Sequence, residues 1–247
     1  MDMNHHNNSG WSVSFRVYRQ KTGKAAHYDT IKLDVDPDEY VIDAVERIWA
    51  YHDRSLSFAH ACHHSTCGAC GMRVNGVEKL TCITPIHTIA KNGGTVQIDP
   101  LRNFPIITDL VVDMGPLYRR MEQVGHRPVV PLSEEPAGLP VRKSNDGEYI
   151  RLSDCIECGL CISACPVAAS TPDYLGPAVL AGALQHGIKS QPELLKLVDS
   201  EDGVWRCHSA FECTQVCPSY VEPGTKIMQL RRNVVSERFT TLFRSNR

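Results

Sequence analysis

"CIECGLCISACP", Cys155 to Pro166, decides how this chain is read, because "CHSAFECTQVCP", Cys207 to Pro218, repeats it with one telling change. The runs agree at Cys155/Cys207, Cys161/Cys213, Cys165/Cys217 and Pro166/Pro218, and differ where Cys158 meets Ala210. The first has the C-x2-C-x2-C-x3-C-P spacing of the bacterial 4Fe–4S run, in which the fourth cysteine serves the other cluster of a pair. Applied to both runs, that crossing rule gives one 4Fe–4S cluster to Cys155, Cys158, Cys161 and Cys217. The other cluster takes Cys165, Cys207 and Cys213, and its last corner faces Ala210, which has no donor atom. A cubane with three protein ligands can lose the unsupported iron and settle as 3Fe–4S, and cluster type and charge set the potential. The competing reading, an empty site that has drifted, fits poorly with three retained ligands and a retained proline.

A third group lies upstream. Cys62, Cys67, Cys70 and Cys82 have the C-x4-C-x2-C spacing, with the fourth cysteine after eleven more residues. This is the plant-type 2Fe–2S pattern. Gly68 and Gly71 suit a loop, "CHHSTCGAC", that must wrap a cluster closely. A four-cysteine zinc site is the alternative, but zinc ribbons use two C-x2-C knuckles and only one pair here has that spacing. His60, His63 and His64 sit in or beside the loop and read as solvent-side residues, since four cysteines already fill the site.

Composition agrees with metal binding. The chain has 247 residues, 42 % of them hydrophobic, enough for two domains with real cores. Net charge is −2, so no global field calls for nucleic acid or membrane. Eleven cysteines are an odd number, clustered at fixed spacing, which favours metal sites over disulfides. No apolar run approaches the roughly 18 residues of a membrane helix. The start, "MDMNHHNNSGW", shows no apolar segment or twin arginine, so no export signal is expected.

The first third reads as strands around a helix. "WSVSFRVYR" alternates Val13, Phe15 and Val17, and "TIKLDV" alternates Ile31, Leu33 and Val35. "VIDAVERIWAYH" puts Val41, Ala44, Val45, Ile48 and Trp49 on one helical face, with Pro37 or Asp38 at its start. Asn75-Gly76 is a type I′ hairpin pair, and "TVQID" supplies another strand. From "PLRNFPIITDLVVDMGPLYRRM" onward the pattern is mostly helical. Residues 121–150 carry four prolines and no periodicity, as an extended connection would. Ile227, Leu230 and Val234 give the last helix a packed face. No phosphate loop, dinucleotide fingerprint or nucleophile–base set is present, so no catalytic residue is expected on this chain.

With these motifs in this order the chain resembles the iron–sulfur subunit of succinate dehydrogenases and fumarate reductases, the succinate:quinone oxidoreductase family. "CHHSTCGACGM", "PLRNFPIITDLVVDM" and the two later runs carry the resemblance over nearly the whole length. It implies an α+β architecture: a β-grasp 2Fe–2S ferredoxin domain over 1–120, the connection over 121–150, and an all-α two-cluster ferredoxin domain over 151–247. It also implies a flavoprotein partner that oxidises succinate with FAD, one or more membrane-anchor subunits able to carry haem b, and a quinone that receives the electrons. The expected place is peripheral, on the cytoplasmic face of the bacterial inner membrane. His208 matches a histidine that lies near the quinone in many members. Ubiquinone-using members have a tryptophan shortly after the proline of the earlier run, whereas this chain has Ala168, Ala169 and Ser170, closer to menaquinone-using members. Six basic residues and one acidic residue between Lys226 and Arg247 fit either a solvated helix end or contact with an anchor subunit or anionic headgroups. Fumarate reduction in the reverse direction, and a soluble fused ferredoxin, are the alternatives.

Overall fold

The computed structural model describes residues 10–125, 155–189 and 191–244. Its strands are β1 (Trp11–Arg19), β2 (His27–Val35), β3 (Gly71–Val74), β4 (Val77–Leu80), β5 (Thr95–Asp99), β6 (Ile106–Thr108) and β7 (Val111–Val112). Its helices are α1 (Val41–Tyr51), α2 (Gly115–Gln123), α3 (Leu160–Ala164), α4 (Pro166–Ser170), α5 (Pro177–His186), α6 (Pro192–Val198), α7 (Glu212–Gln215) and α8 (Pro223–Arg244). The described residues form two compact units, one within Met1–Met114 plus Cys158–Ala164, the other within Gly115–Glu157 plus Cys165–Arg247.

The first unit is built on a five-stranded mixed sheet in the order β2-β1-β5-β3-β4. β1 pairs antiparallel with β2 and parallel with β5. The period-two pattern holds: Val13, Phe15, Val17, Leu33 and Val35 are buried, while their neighbours Arg16, Lys32 and Asp34 face solvent. α1 adds Val41, Ile42, Ala44, Val45 and Ile48 to this core. This is the expected β-grasp arrangement. Trp49 departs from the expectation: it is 37 % exposed, at the edge of the apolar face, with the Arg54 guanidinium 4.2 Å from its ring centre. The helix also starts later than expected. Tyr40 is its N-cap, and Asp43 accepts a hydrogen bond from the Tyr40 N–H at 3.1 Å, as in half of a capping box. The hairpin turn is as expected, with positive φ at both Asn75 and Gly76.

A buried charge cluster ties the sheet to the segment that enters the cysteine loop. Asp109, fully buried, accepts from the N–H groups of Gln20 (3.0 Å) and Ser57 (2.9 Å) and from Lys21 Nζ (2.6 Å). Arg19 stands beside it and donates to Asp29 and Asp53. Burial works against ionisation of Asp109, but those donors hold its carboxyl below the usual range.

The described part of the second unit is helical, without strands. α5 is buried along Pro177–Ala183 and packs on α8, whose Ile227, Leu230 and Val234 are fully buried, as their spacing requires. Helix α2 runs to Gln123, three residues into the stretch read as a connection, and most of that stretch lies outside the described residues. α2 packs on α5, and Arg120 donates to the carbonyls of Pro172 (2.7 Å) and Tyr174 (3.0 Å). So residues 115–120, counted with the first domain in the sequence reading, pack in the second unit.

Candidate metal centres

The first centre lies between α1 and the β3–β4 hairpin. Left-handed backbone at His63 (φ 56°), Ser65 (φ 59°) and Gly68 (φ 72°) curls the loop around its sulfurs. Cys62 Sγ accepts from the N–H groups of His64 (3.4 Å), Thr66 (3.3 Å) and Cys67 (3.4 Å), and Cys82 Sγ accepts from Ser65 N–H (3.4 Å). Cys82 sits in a short 3-10 turn just after β4. Gly68 fulfils the expected role of a positive φ. Gly71 does not; its use is space, because a Cβ there would come within 3.2 Å of Cys158 O and Leu160 Cδ2.

The four sulfurs lie close enough to influence one another. At Cys82, burial, Cys70 as hydrogen-bond partner and the nearby Cys70 and Cys62 push the thiol up to about 12. At Cys62, burial opposes ionisation, but the backbone donors and Cys67 bring the thiol down to about 6. Clustered thiols that hinder one another's ionisation, ringed by N–H donors, match what a polynuclear cation needs from its ligands. No disulfide joins any of the eleven cysteines, all of them among the described residues.

The second centre lies in the helical unit. Cys165, Cys207 and Cys213 line one small cavity together with Tyr174, His208, Ala210 and Phe211. Burial, then the neighbouring Cys165 and Cys207, push Cys213 up to about 11. Cys165 is also raised, by burial first and then by Cys207 and Glu212, against N–H donors from Ala168 and Val167 at the start of α4. These are the three residues assigned to the incomplete cluster, and Ala210 lines the same cavity without a donor. Exposed His208 lines it too.

The backbone confirms the repeat. Glu157 (φ 54°) and Gly159 (φ 77°) in the first run match Ser209 (φ 59°) and Phe211 (φ 66°) in the second, at the same offsets. Cys155 Sγ accepts from Glu157 N–H at 3.3 Å, and Cys207 Sγ accepts from Ser209 N–H at 3.4 Å. Each run then enters a short helix, α3 or α7. Ala210 therefore occupies the same place in its local fold as Cys158 does in its own. Phe211 takes a left-handed conformation that favours glycine, and it rests against Gly224, where an added Cβ would meet Phe211 Cδ1 at 2.6 Å. Of the remaining cysteines, Cys158 is half-buried, Cys161 is buried in α3, and Cys217 accepts from Val221 N–H at 3.4 Å.

Two residues beside the second run escaped sequence reasoning. Tyr174 is buried, and its hydroxyl hydrogen-bonds the Cys207 sulfur; burial first, then the nearby Cys207 and Cys165, push its pKa well above the ordinary range. Arg231 on α8 donates to Val204 O (2.7 Å) and to Cys207 O, which pins the start of the second run. Neither residue stands at a fixed spacing from the cysteines, so no motif announces it.

Comparison with known proteins agrees with this geometry. The family model of a 2Fe–2S iron–sulfur cluster binding domain matches residues 14–119, and that of a 4Fe–4S dicluster domain matches residues 151–221. The chain is 31 % identical to the fumarate reductase iron–sulfur subunit of Haemophilus influenzae, covering 88 % of this chain and 90 % of that one. It is 33 % identical to the subunit of the same name from Mycobacterium tuberculosis, over 87 % and 88 % of the two chains. Identity to the mitochondrial succinate dehydrogenase [ubiquinone] iron–sulfur subunit of Candida glabrata is 29 %, over 90 % of both. Its fold matches a chain of the Mycobacterium smegmatis Sdh1 complex in the apo form with a TM-score of 0.74, at 24 % identity over 93 % of this chain and 98 % of that one. With its sheet-bearing 2Fe–2S domain, its helical dicluster domain and these relatives, the chain belongs to the iron–sulfur electron-transfer subunits of the succinate dehydrogenase and fumarate reductase family.

Proposed function

We propose that the chain links a flavoprotein to a quinone through three centres: 2Fe–2S at Cys62, Cys67, Cys70 and Cys82; 4Fe–4S at Cys155, Cys158, Cys161 and Cys217; 3Fe–4S at Cys165, Cys207 and Cys213. The observation that carries this reading is the cavity ringed by Cys165, Cys207 and Cys213 whose repeat-matched fourth position is Ala210. Clusters bound there would supply one-electron transfer, which divides the two-electron chemistry of a flavin into single steps. The chain's own part is to hold the thiolates, stabilise their charge with backbone N–H groups and the Tyr174 hydroxyl, and keep water away through burial.

In this reading the donor is FAD on a flavoprotein that oxidises succinate, the acceptor is a quinone beside His208, and anchor subunits able to carry haem b hold the complex at the cytoplasmic face of the membrane. Among the described residues no helix is long and apolar enough to cross a membrane. Ala168, Ala169 and Ser170 favour menaquinone. The division into 1–120, 121–150 and 151–247 belongs to the same proposal, except that residues 115–120 group with the second unit and 158–164 with the first. Fumarate reduction is the second reading, favoured by the names of the relatives from Haemophilus influenzae and Mycobacterium tuberculosis.

Electron paramagnetic resonance of the purified complex tests the cluster set. One signal is expected in the oxidised state, from 3Fe–4S, and two more on reduction. Only two signals in all would overturn it. For the quinone, His208→Ala is expected to slow quinone reduction on the order of a hundredfold if the imidazole handles a proton, with succinate oxidation by an artificial dye retained. Equal loss of both activities would make His208 structural.

A further inference from the structure

We infer that Glu46, His60 and His63 form a binding site for a divalent transition-metal ion of the zinc class, separate from the cysteine centres. Glu46 comes from α1, and the two histidines come from the entry to the cysteine loop. His60 Nδ1 lies 3.0 Å from Glu46 Oε1, His63 Nε2 lies 3.0 Å from the same oxygen, and the two ring nitrogens are 3.0 Å apart.

Protons do not account for that triangle. Each ring nitrogen carries at most one hydrogen. If both are protonated, two N–H groups confront each other at 3.0 Å. If only one is protonated, its N–H can serve one edge of the triangle, but the bare nitrogen still turns its lone pair toward Glu46 Oε1; if neither is, three lone pairs converge. Glu46 Oε1 is in fact shut off from solvent and receives no hydrogen bond of acceptable geometry. A cation turned toward three lone pairs satisfies all three contacts. Tetrahedral zinc with bonds of about 2.0–2.1 Å separates its ligand atoms by about 3.3 Å, so small side-chain shifts suffice.

The surroundings favour binding. Phe58 stacks on His60, with ring centres 5.2 Å apart and planes 15° from parallel, which fixes the imidazole plane. Trp49, Leu56 and Phe58 line the same depression. The other nitrogen of His63, Nδ1, lies 4.0 Å from Asp43 Oδ1, so a carboxylate stands behind the ligand, as is common at zinc sites. Two histidines and one glutamate leave a fourth position for water or another donor. An ion here would tie the chain on both sides of Cys62 to α1.

The test uses the assembled complex with its clusters loaded. After treatment with a mild chelator it is equilibrated with Zn2+ alone, and zinc and iron are counted together. The wild type is expected to hold one more zinc per chain than His60→Ala, His63→Ala or Glu46→Gln, each of which weakens binding roughly a hundredfold, with iron unchanged. His64→Ala should bind as the wild type does. Absence of that zinc, or equal zinc in the triad variants, would overturn the site. If a variant loses iron through misfolding, substoichiometric Cu2+ on the wild type decides instead: its resonance should show coupling to two imidazole nitrogens, and fewer than two would sink the proposal. No cysteine is involved, so either result leaves the three-cluster reading standing.

Discussion

Ala210→Cys is expected to shrink the oxidised-state 3Fe–4S resonance and to bring up a second 4Fe–4S signal on reduction. The local backbone at Ala210 repeats that at Cys158, with left-handed residues at the same offsets on either side. A sulfur placed on its Cβ enters the cavity that Cys165, Cys207 and Cys213 already line. Ala210 is exposed and the change adds a single sulfur, so gross misfolding is not expected. A fourth thiolate adds negative charge at the iron, and the potential of the centre falls. Quinone reduction should then slow, because the 4Fe–4S centre gives up its electron less readily, while dye-linked flavin activity persists. An unaltered 3Fe–4S signal in iron-replete cells would mean that Ala210 does not face the open corner.

Serine at Cys165 is expected to abolish the 3Fe–4S signal and spare the 4Fe–4S signal, although Cys165 belongs to the 4Fe–4S run. The reason is visible in the helical unit: the charges of Cys207 and Cys165 both act on Cys213, so the three sulfurs are neighbours. Cys217→Ser should do the reverse and damage the 4Fe–4S centre, because in the crossing pattern the fourth cysteine of each run serves the other cluster. A hydroxyl is a far weaker ligand for iron than a thiolate, so the loss should be close to complete in each case. If each substitution instead harms the cluster of its own run, the crossing assignment is wrong and family membership survives.

The sequence by itself determined the cysteine groups and their order, from which the three kinds of centre are proposed. Cluster ligation is local: three sulfurs within seven residues can reach one cubane, so spacing along the chain carries the chemistry. The same holds for the β1 alternation, the Asn75-Gly76 turn and the buried stripe of Ile227, Leu230 and Val234, each set by a short period or a local torsion. Trp49 marks the limit of that logic, because the helical period gives a face but not where the face ends. Only the tertiary structure decided which distant groups meet: Tyr174 with the sulfur of Cys207, Arg231 with its carbonyl, Asp109 with Gln20 and Ser57, and Glu46 with His60 and His63. These contacts join residues from 14 to 89 positions apart, and no period in the sequence encodes them; chain folding brings the groups together, and burial then makes each unpaired charge or donor costly enough to fix its partner.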